Sequence, residues 1–169
     1  MSFLLQELPD RTTLNRYAER FANLDVDATT AYLRVLAAGS KLLGELDGML
    51  AEHGLTHGRW LTLVVLHRSG GRLLPSQLAE KQGVTRATMT GLLTGLCRDG
   101  LIRRVGSDDD RRRAAAQLTP KGRRRVERLL PLVYDHINQQ MAVLASAQHR
   151  SLGRLVGKLI PKNEEELVA

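Results

Sequence analysis

Pro75-Ser76-Gln77-Leu78-Ala79-Glu80-Lys81-Gln82-Gly83-Val84-Thr85-Arg86-Ala87-Thr88-Met89-Thr90-Gly91-Leu92-Leu93-Thr94-Gly95-Leu96-Cys97-Arg98-Asp99 is the stretch that decides the fold. Proline suits the first position of a helix, where its missing N–H is not needed, so the pattern predicts a helix over Ser76–Gln82. Leu74, at the cap, offers no side-chain acceptor, which predicts a loose start. Gly83 ends this helix, and Thr85 caps another that reaches about Asp99. Val84 and Met89 stand where a hydrophobic staple would put them. Helix, glycine turn, helix is the helix-turn-helix pattern.

On a wheel of about 100° per residue, Met89, Leu92, Leu93 and Leu96 form the core-facing side of the second helix. The other side carries Ala87, Thr90, Gly91, Thr94 and Arg98, flanked by Arg86 and Thr88, with no acid before Asp99. Small residues let a backbone approach base edges, threonine bonds an edge or touches a thymine methyl, and arginine forks onto guanine. A plain surface helix with a small-residue face is the other reading. Cys97 lies beside Leu93 on the wheel and reads as a half-buried packing thiol.

Downstream, Leu101-Ile102-Arg103-Arg104-Val105 and Arg111-Arg112-Arg113-Ala114-Ala115-Ala116-Gln117-Leu118 flank the polar block Gly106-Ser107-Asp108-Asp109-Asp110. Two short strands around a charged turn predict a β-hairpin wing, although the alanines weaken the second strand. Arg103, Arg104, Arg111, Arg112 and Arg113, followed by Lys121, Arg123, Arg124, Arg125 and Arg128, are dense enough to neutralise several phosphates. The bland reading of such a run is a solvated face. Asp110 above all is expected to pair with a nearby arginine and fix the turn, which suits arginine insertion into a minor groove.

Thr119-Pro120 reads as cap and first position of a long helix with Val126, Leu130, Val133, Ile137, Met141 and Leu144 on one face and a kink at Pro131. Ser146 is the expected cap of a last helix. Upstream, a short helix is expected over Thr12–Ala22 and a long one from Ala28 to His53, capped by Asp27 and carrying Tyr32, Leu36, Gly39, Leu43, Leu46 and Leu50 as a stripe for a partner. Gly54 stops it, and Thr56 caps a helix holding Trp60, Leu61, Val64 and Val65. Arg72-Leu73-Leu74 is long enough only for a strand fragment. The organisation read from this is an N-terminal extension and scaffold helix over 1–54, a winged helix-turn-helix over 55–119 and C-terminal helices over 120–169.

Lys and Arg outnumber Asp and Glu by 25 to 18 in 169 residues, a net charge of +7, which favours a polyanionic partner. Aromatic residues make up only 4%, against a single-strand reader that stacks bases, so duplex is favoured. No run reaches the about 18 to 20 apolar residues of a membrane span, and the start of the chain has no leader pattern, so a cytoplasmic location is expected. The single cysteine excludes an intramolecular disulfide and any multi-cysteine metal site. His53 and His57 are four apart, but a predicted break at Gly54 lies between them, so no metal ligand pair is expected. Gly153-Arg154-Leu155-Val156-Gly157-Lys158-Leu159 lacks the spacing of a phosphate loop, no catalytic set emerges, and neither enzyme activity nor a cofactor is expected.

Leu78-Ala79-Glu80, Gly83-Val84-Thr85, Gly100-Leu101-Ile102-Arg103-Arg104, Ser107-Asp108-Asp109-Asp110-Arg111-Arg112 and Leu118-Thr119-Pro120-Lys121-Gly122 together resemble the MarR family of regulators. The acidic-arginine wing followed by Leu-Thr-x-x-Gly is the specific part, and the likeness spans about Asp27 to Ile160. It implies a mainly α fold with a small β-hairpin wing, a winged helix-turn-helix core between N- and C-terminal dimerisation helices. It also implies a homodimeric repressor on a pseudo-palindromic duplex. By this resemblance Arg86, Ala87, Thr88 and Thr90 match base-reading positions, and Asp110 with Arg112 matches a wing-tip pair. Ser76, Thr85, Gly91, Arg98, Arg103, Arg111, Arg113 and Arg123 complete the expected DNA-contacting set.

Many members of that family also hold a small molecule, and here Arg34, His57, Arg59 and Trp60 would suit an anionic aromatic effector. The ordinary alternative is that Trp60 is core and the polar groups are solvated. The rival to DNA binding as a whole is a winged-helix protein–protein interaction module that sets its basic face on an acidic partner.

Overall fold

The computed structural model describes residues 7–106 and 114–160. Its chain forms two compact units, one up to Glu52 and one from His53.

The first unit holds α1 (Arg11–Ala18) and α2 (Val26–Glu52). α1 is shorter than the apolar spacing predicts. Asp10 caps it, accepting from the Thr13 N–H at 2.7 Å, and it ends before Phe21, whose ring meets Tyr17 edge-on at 6.5 Å. α2 begins two residues earlier than expected: Asp25, and not Asp27, accepts from the Ala28 N–H at 2.9 Å. Asp27 lies inside the first turn and pairs with Arg11 at 2.9 Å. Along α2, Tyr32, Leu36 and Leu43 of the predicted stripe are exposed, as are Val35 and Leu42.

The second unit runs α3 (His57–Arg68), β1 (Arg72–Leu73), α4 (Pro75–Lys81), α5 (Arg86–Arg98), β2 (Ile102–Val105), β3 (Ala115–Leu118), α6 (Pro120–Met141) and α7 (Ser146–Gly157). Thr56, Thr85 and Thr119 cap α3, α5 and α6 as the sequence predicts, each accepting from the N–H three residues on. Two helices start without a capping side chain and solve the problem from the other end. The Gln77 amide oxygen accepts from the Leu74 N–H at 2.9 Å, and Gln148 does the same for Ala145 at 2.7 Å. The start of α4 is therefore tied, and Ser146 is the first residue of α7 rather than its cap.

β3 lies at the centre of a three-stranded antiparallel sheet of order β1-β3-β2. The alanines do not prevent this strand. Ala115 and Ala116 are buried, and α3 lies against the strand, so close packing outweighs the weak strand preference. Beneath the helices, Leu63, Leu66, Leu78, Met89, Leu93, Leu96, Val126 and Leu129 form a fully enclosed core. Leu129 takes the place that the predicted stripe gave to Leu130, and Leu144 lies beyond the end of α6. α6 continues through Pro131. The helical donor that the ring removes would have gone to the Glu127 carbonyl, on an exposed stretch where water can replace it. Among the described residues no helix is long and apolar enough to cross a membrane.

Candidate nucleic-acid interface

The turn between α4 and α5 is built by Gly83, at φ +61°, and by the Val84 N–H reaching back to the Ala79 carbonyl at 3.0 Å. A side chain is strained at that φ, which is why glycine stands there. Gln82, the C-cap of α4, donates from its amide to the Thr62 hydroxyl at 3.0 Å, and that hydroxyl donates to the Gly58 carbonyl at 2.7 Å. Thr62 is fully buried, so this satisfied chain of hydrogen bonds fastens the turn to α3.

Thr85 caps α5 through the Thr88 N–H at 3.1 Å, and the two hydroxyls lie 2.9 Å apart. Met89, Leu93 and Leu96 turn inward with spacings of four and three. The remaining face is open: Arg86, Ala87, Thr88, Thr90, Gly91, Thr94 and Arg98 are all exposed, and so is Ser76 in the first turn of α4. Thr90 and Thr94 donate their hydroxyl protons to the Arg86 and Thr90 carbonyls at 2.9 and 2.8 Å. Their oxygens keep acceptor capacity for an outside donor. A Cβ on Gly91 would meet nothing within 4 Å. Glycine inside a helix costs about 1 kcal/mol against alanine, and among the described residues no contact requires it here.

At the wing, Arg103 and Arg104 are exposed on β2, and Arg103 Nε donates to Gln117 on β3 at 3.1 Å. The register places Arg72 opposite the same Gln117 from the other side. Ser107, Asp108 and Asp109, and the predicted contacts Asp110, Arg111, Arg112 and Arg113, lie outside the described residues.

The basic run on α6 divides by role. Arg123 is exposed beside the Gly70-Gly71 turn, its guanidinium 3.1 Å from where a Gly71 Cβ would stand. Arg125 donates to the His53 carbonyl, and Lys121 donates to the Asp99 carbonyl at 2.9 Å. Lys121, Arg124, Arg125 and Arg128 line a recess of about 730 Å³ with His53, Gly54, Leu55, Asp99, Leu101 and Glu127. Sequence reasoning passed over this recess. Its signal is the spacing of those four cations, which puts them on one helical face.

Of the residues expected to form an effector pocket, three lie in the second unit and one in the first. Trp60 is 4% exposed and belongs to the core, the ordinary reading of that residue. Arg59 is taken up by an ion pair with the Asp99 carboxylate, leaving its charge already matched. His57 opens α3, and Gly54, at φ +66°, separates it from His53 beyond the end of α2. Arg34 belongs to the first unit, where it lines a recess with Leu8, Pro9, Arg11 and Asp27. Cys97 is half-buried on α5, between the core and the open face.

Against known proteins, the family model described as MarR family matches residues 53–113. The HTH-type transcriptional repressor YetL of Bacillus subtilis is 30% identical over 94% of this chain and 95% of its own length. The transcriptional repressor MprA of Escherichia coli is 28% identical over 75% of this chain and 72% of its own. Among solved structures, the MarR family regulator Sco3205 of Streptomyces coelicolor, in complex with DNA, superposes with a TM-score of 0.73 at 26% identity, covering 83% of this chain and 92% of that one. The MarR family protein Rv2887 of Mycobacterium tuberculosis, in complex with salicylic acid, gives 0.59 at 28% identity over 76% and 94%.

Proposed function

The chain belongs to the MarR family of transcriptional regulators, with its winged helix-turn-helix fold, and from that premise we propose that it is a homodimeric repressor that reads a pseudo-palindromic duplex. The observation that carries the DNA reading is the open face of α5. Seven exposed positions carry no acid, and Gly91 among them has no packing reason to be glycine. A helix thinned on its outer side is what close approach to base edges requires. Arg86 and Thr90 then read bases, while Ser76, Arg103 and Arg123 hold phosphates.

Apolar side chains left open in a single chain support the homodimer. Tyr32, Leu36 and Leu43 on α2, Ile137 on α6 and Leu155 on α7 are each at least 40% exposed. A soluble protein seldom leaves so many large apolar groups in water on its terminal helices without covering them. Two readers related by a two-fold axis would meet half-sites about one helical turn apart.

Release by a small anionic effector belongs to the same proposal. The recess at α6, lined by four cations and two carboxylates, supports a site for such a ligand. The salicylic acid complex of the Rv2887 relative supports this ligand class.

Selection of bound duplexes from a random pool tests the DNA reading. A two-fold symmetric site, preferred over random duplex by about 10³-fold or more, is the expected result. Enrichment of no sequence, with only salt-sensitive nonspecific binding, would favour the protein–protein interaction module instead.

A further inference from the structure

Asp99 is where the end of α5 meets two other elements. It is the C-cap of that helix. Its carboxylate is held by Arg59 from the first turn of α3, with Arg98 Nε a further 3.7 Å contact. Its carbonyl oxygen accepts from Lys121 Nζ, on the first turn of α6, at 2.9 Å. A cation at the last carbonyls of a helix satisfies groups that have no partner within the helix and opposes the negative end of its dipole. Lys121 and Asp99 are also both walls of the basic recess.

The cations of that recess are not equivalent. Arg125 is committed to the His53 carbonyl through a planar guanidinium. Lys121 carries a compact charge on a flexible four-carbon stem, so it can turn toward a new acceptor with little rearrangement of the backbone. An anion drawn in by Arg124 and Arg128 adds negative charge to the cavity that already contains the Lys121 ammonium.

We infer that Lys121 is a switch residue, which either ties the C-terminal end of α5 at the Asp99 carbonyl or turns to an anion in the recess and lets that end go. The inference rests on the effector reading above and names the residue through which it acts. Arg59 keeps its hold on the carboxylate in both states, so α5 loosens at one anchor without leaving the core. Loss of the Lys121 bond disturbs Arg98 and the last turn first, and the first turn, capped by Thr85, last.

The test uses the full-length protein, its selected operator and salicylate as the probe. Wild type is expected to lose operator affinity about fivefold or more as salicylate is added, within the usual range of coupling between sites. Lys121→Met, which keeps the stem and loses the charge, should bind operator more weakly without salicylate and respond to it by less than twofold. Lys121→Arg, which keeps a donor, should retain most of the wild-type affinity. Arg124→Met should require more salicylate yet reach the same final extent of release. Melting curves for each variant separate these effects from loss of folding. Undiminished release in a folded Lys121→Met protein overturns the switch and leaves the effector reading standing. Absence of any salicylate effect on the wild type overturns both.

Discussion

The backbone of Gly122 passes so close to Leu101 that a Cβ on the glycine would overlap the Leu101 carbonyl oxygen, standing 3.0 Å from its carbon and 3.1 Å from Leu118 Cδ2. The first turn of α6 is thereby pressed against the start of β2, beside the point where Thr119 donates its hydroxyl proton to the Gly100 carbonyl at 2.8 Å. Gly122→Ala must move backbone, and the expected cost is about 3 kcal/mol or more, at the upper end of overpacking. Gly153→Ala, in α7 with nothing within 4 Å, is the control and should be neutral or stabilising. Thermal unfolding of the two variants checks this.

Gly91→Ala should separate stability from function. With empty space around its added methyl, α5 gains up to about 1 kcal/mol of helix stability. The same methyl stands on the face proposed to approach the duplex, so operator affinity falls while the melting temperature rises. A rise in both would remove Gly91 from the interface.

Arg86→Ala and Arg123→Ala should differ in kind. The first is expected to cost about 1–3 kcal/mol per half-site and to relax preference at one base pair. The second should weaken binding to every duplex alike and flatten the dependence on salt. Binding isotherms on operator and scrambled duplex at several salt concentrations distinguish the two.

The Arg59 guanidinium beside Asp99 holds that carboxyl below its ordinary pKa, against the opposing effect of desolvation. A depressed native pKa means that the pairing stabilises the fold above the unfolded-state pKa and is lost as pH falls through the native one. The gap in melting temperature between wild type and Asp99→Asn should therefore be constant from about pH 7 to 5 and close below about pH 4. A gap that closes near pH 6 would assign the effect to a histidine instead.

Much of this fold was legible in local sequence, because caps and turn glycines act over a few residues. Thr56, Thr85 and Thr119, with Gly54 and Gly83, mark helix ends where the chain alone places them. Asp25 and Asp27 show the limit of that logic. Both are carboxylates near one helix start, and the Arg11 partner that occupies Asp27 comes from another element. The open face of α5 followed from periodicity, since only one side of that helix is apolar. The recess did not, because His53, Asp99 and Lys121 are far apart in sequence and meet only through tertiary contact. For the same reason the arginine-rich start of α6 read as one charge run, when Arg125 and Lys121 each hold a carbonyl of a different segment.

The strand order β1-β3-β2 also limits when the sheet can close. Arg72 pairs with Gln117, and the whole helix-turn-helix lies between them. α4 and α5 join residues near one another along the chain, so they can collapse onto α3 while synthesis is still in progress. The sheet cannot close until Ala115–Leu118 has been made, and closing so long a loop is the entropically costly, slow step. The last strand to be made is thus the one that pairs with both edges, Arg72–Leu73 on one side and Ile102–Val105 on the other.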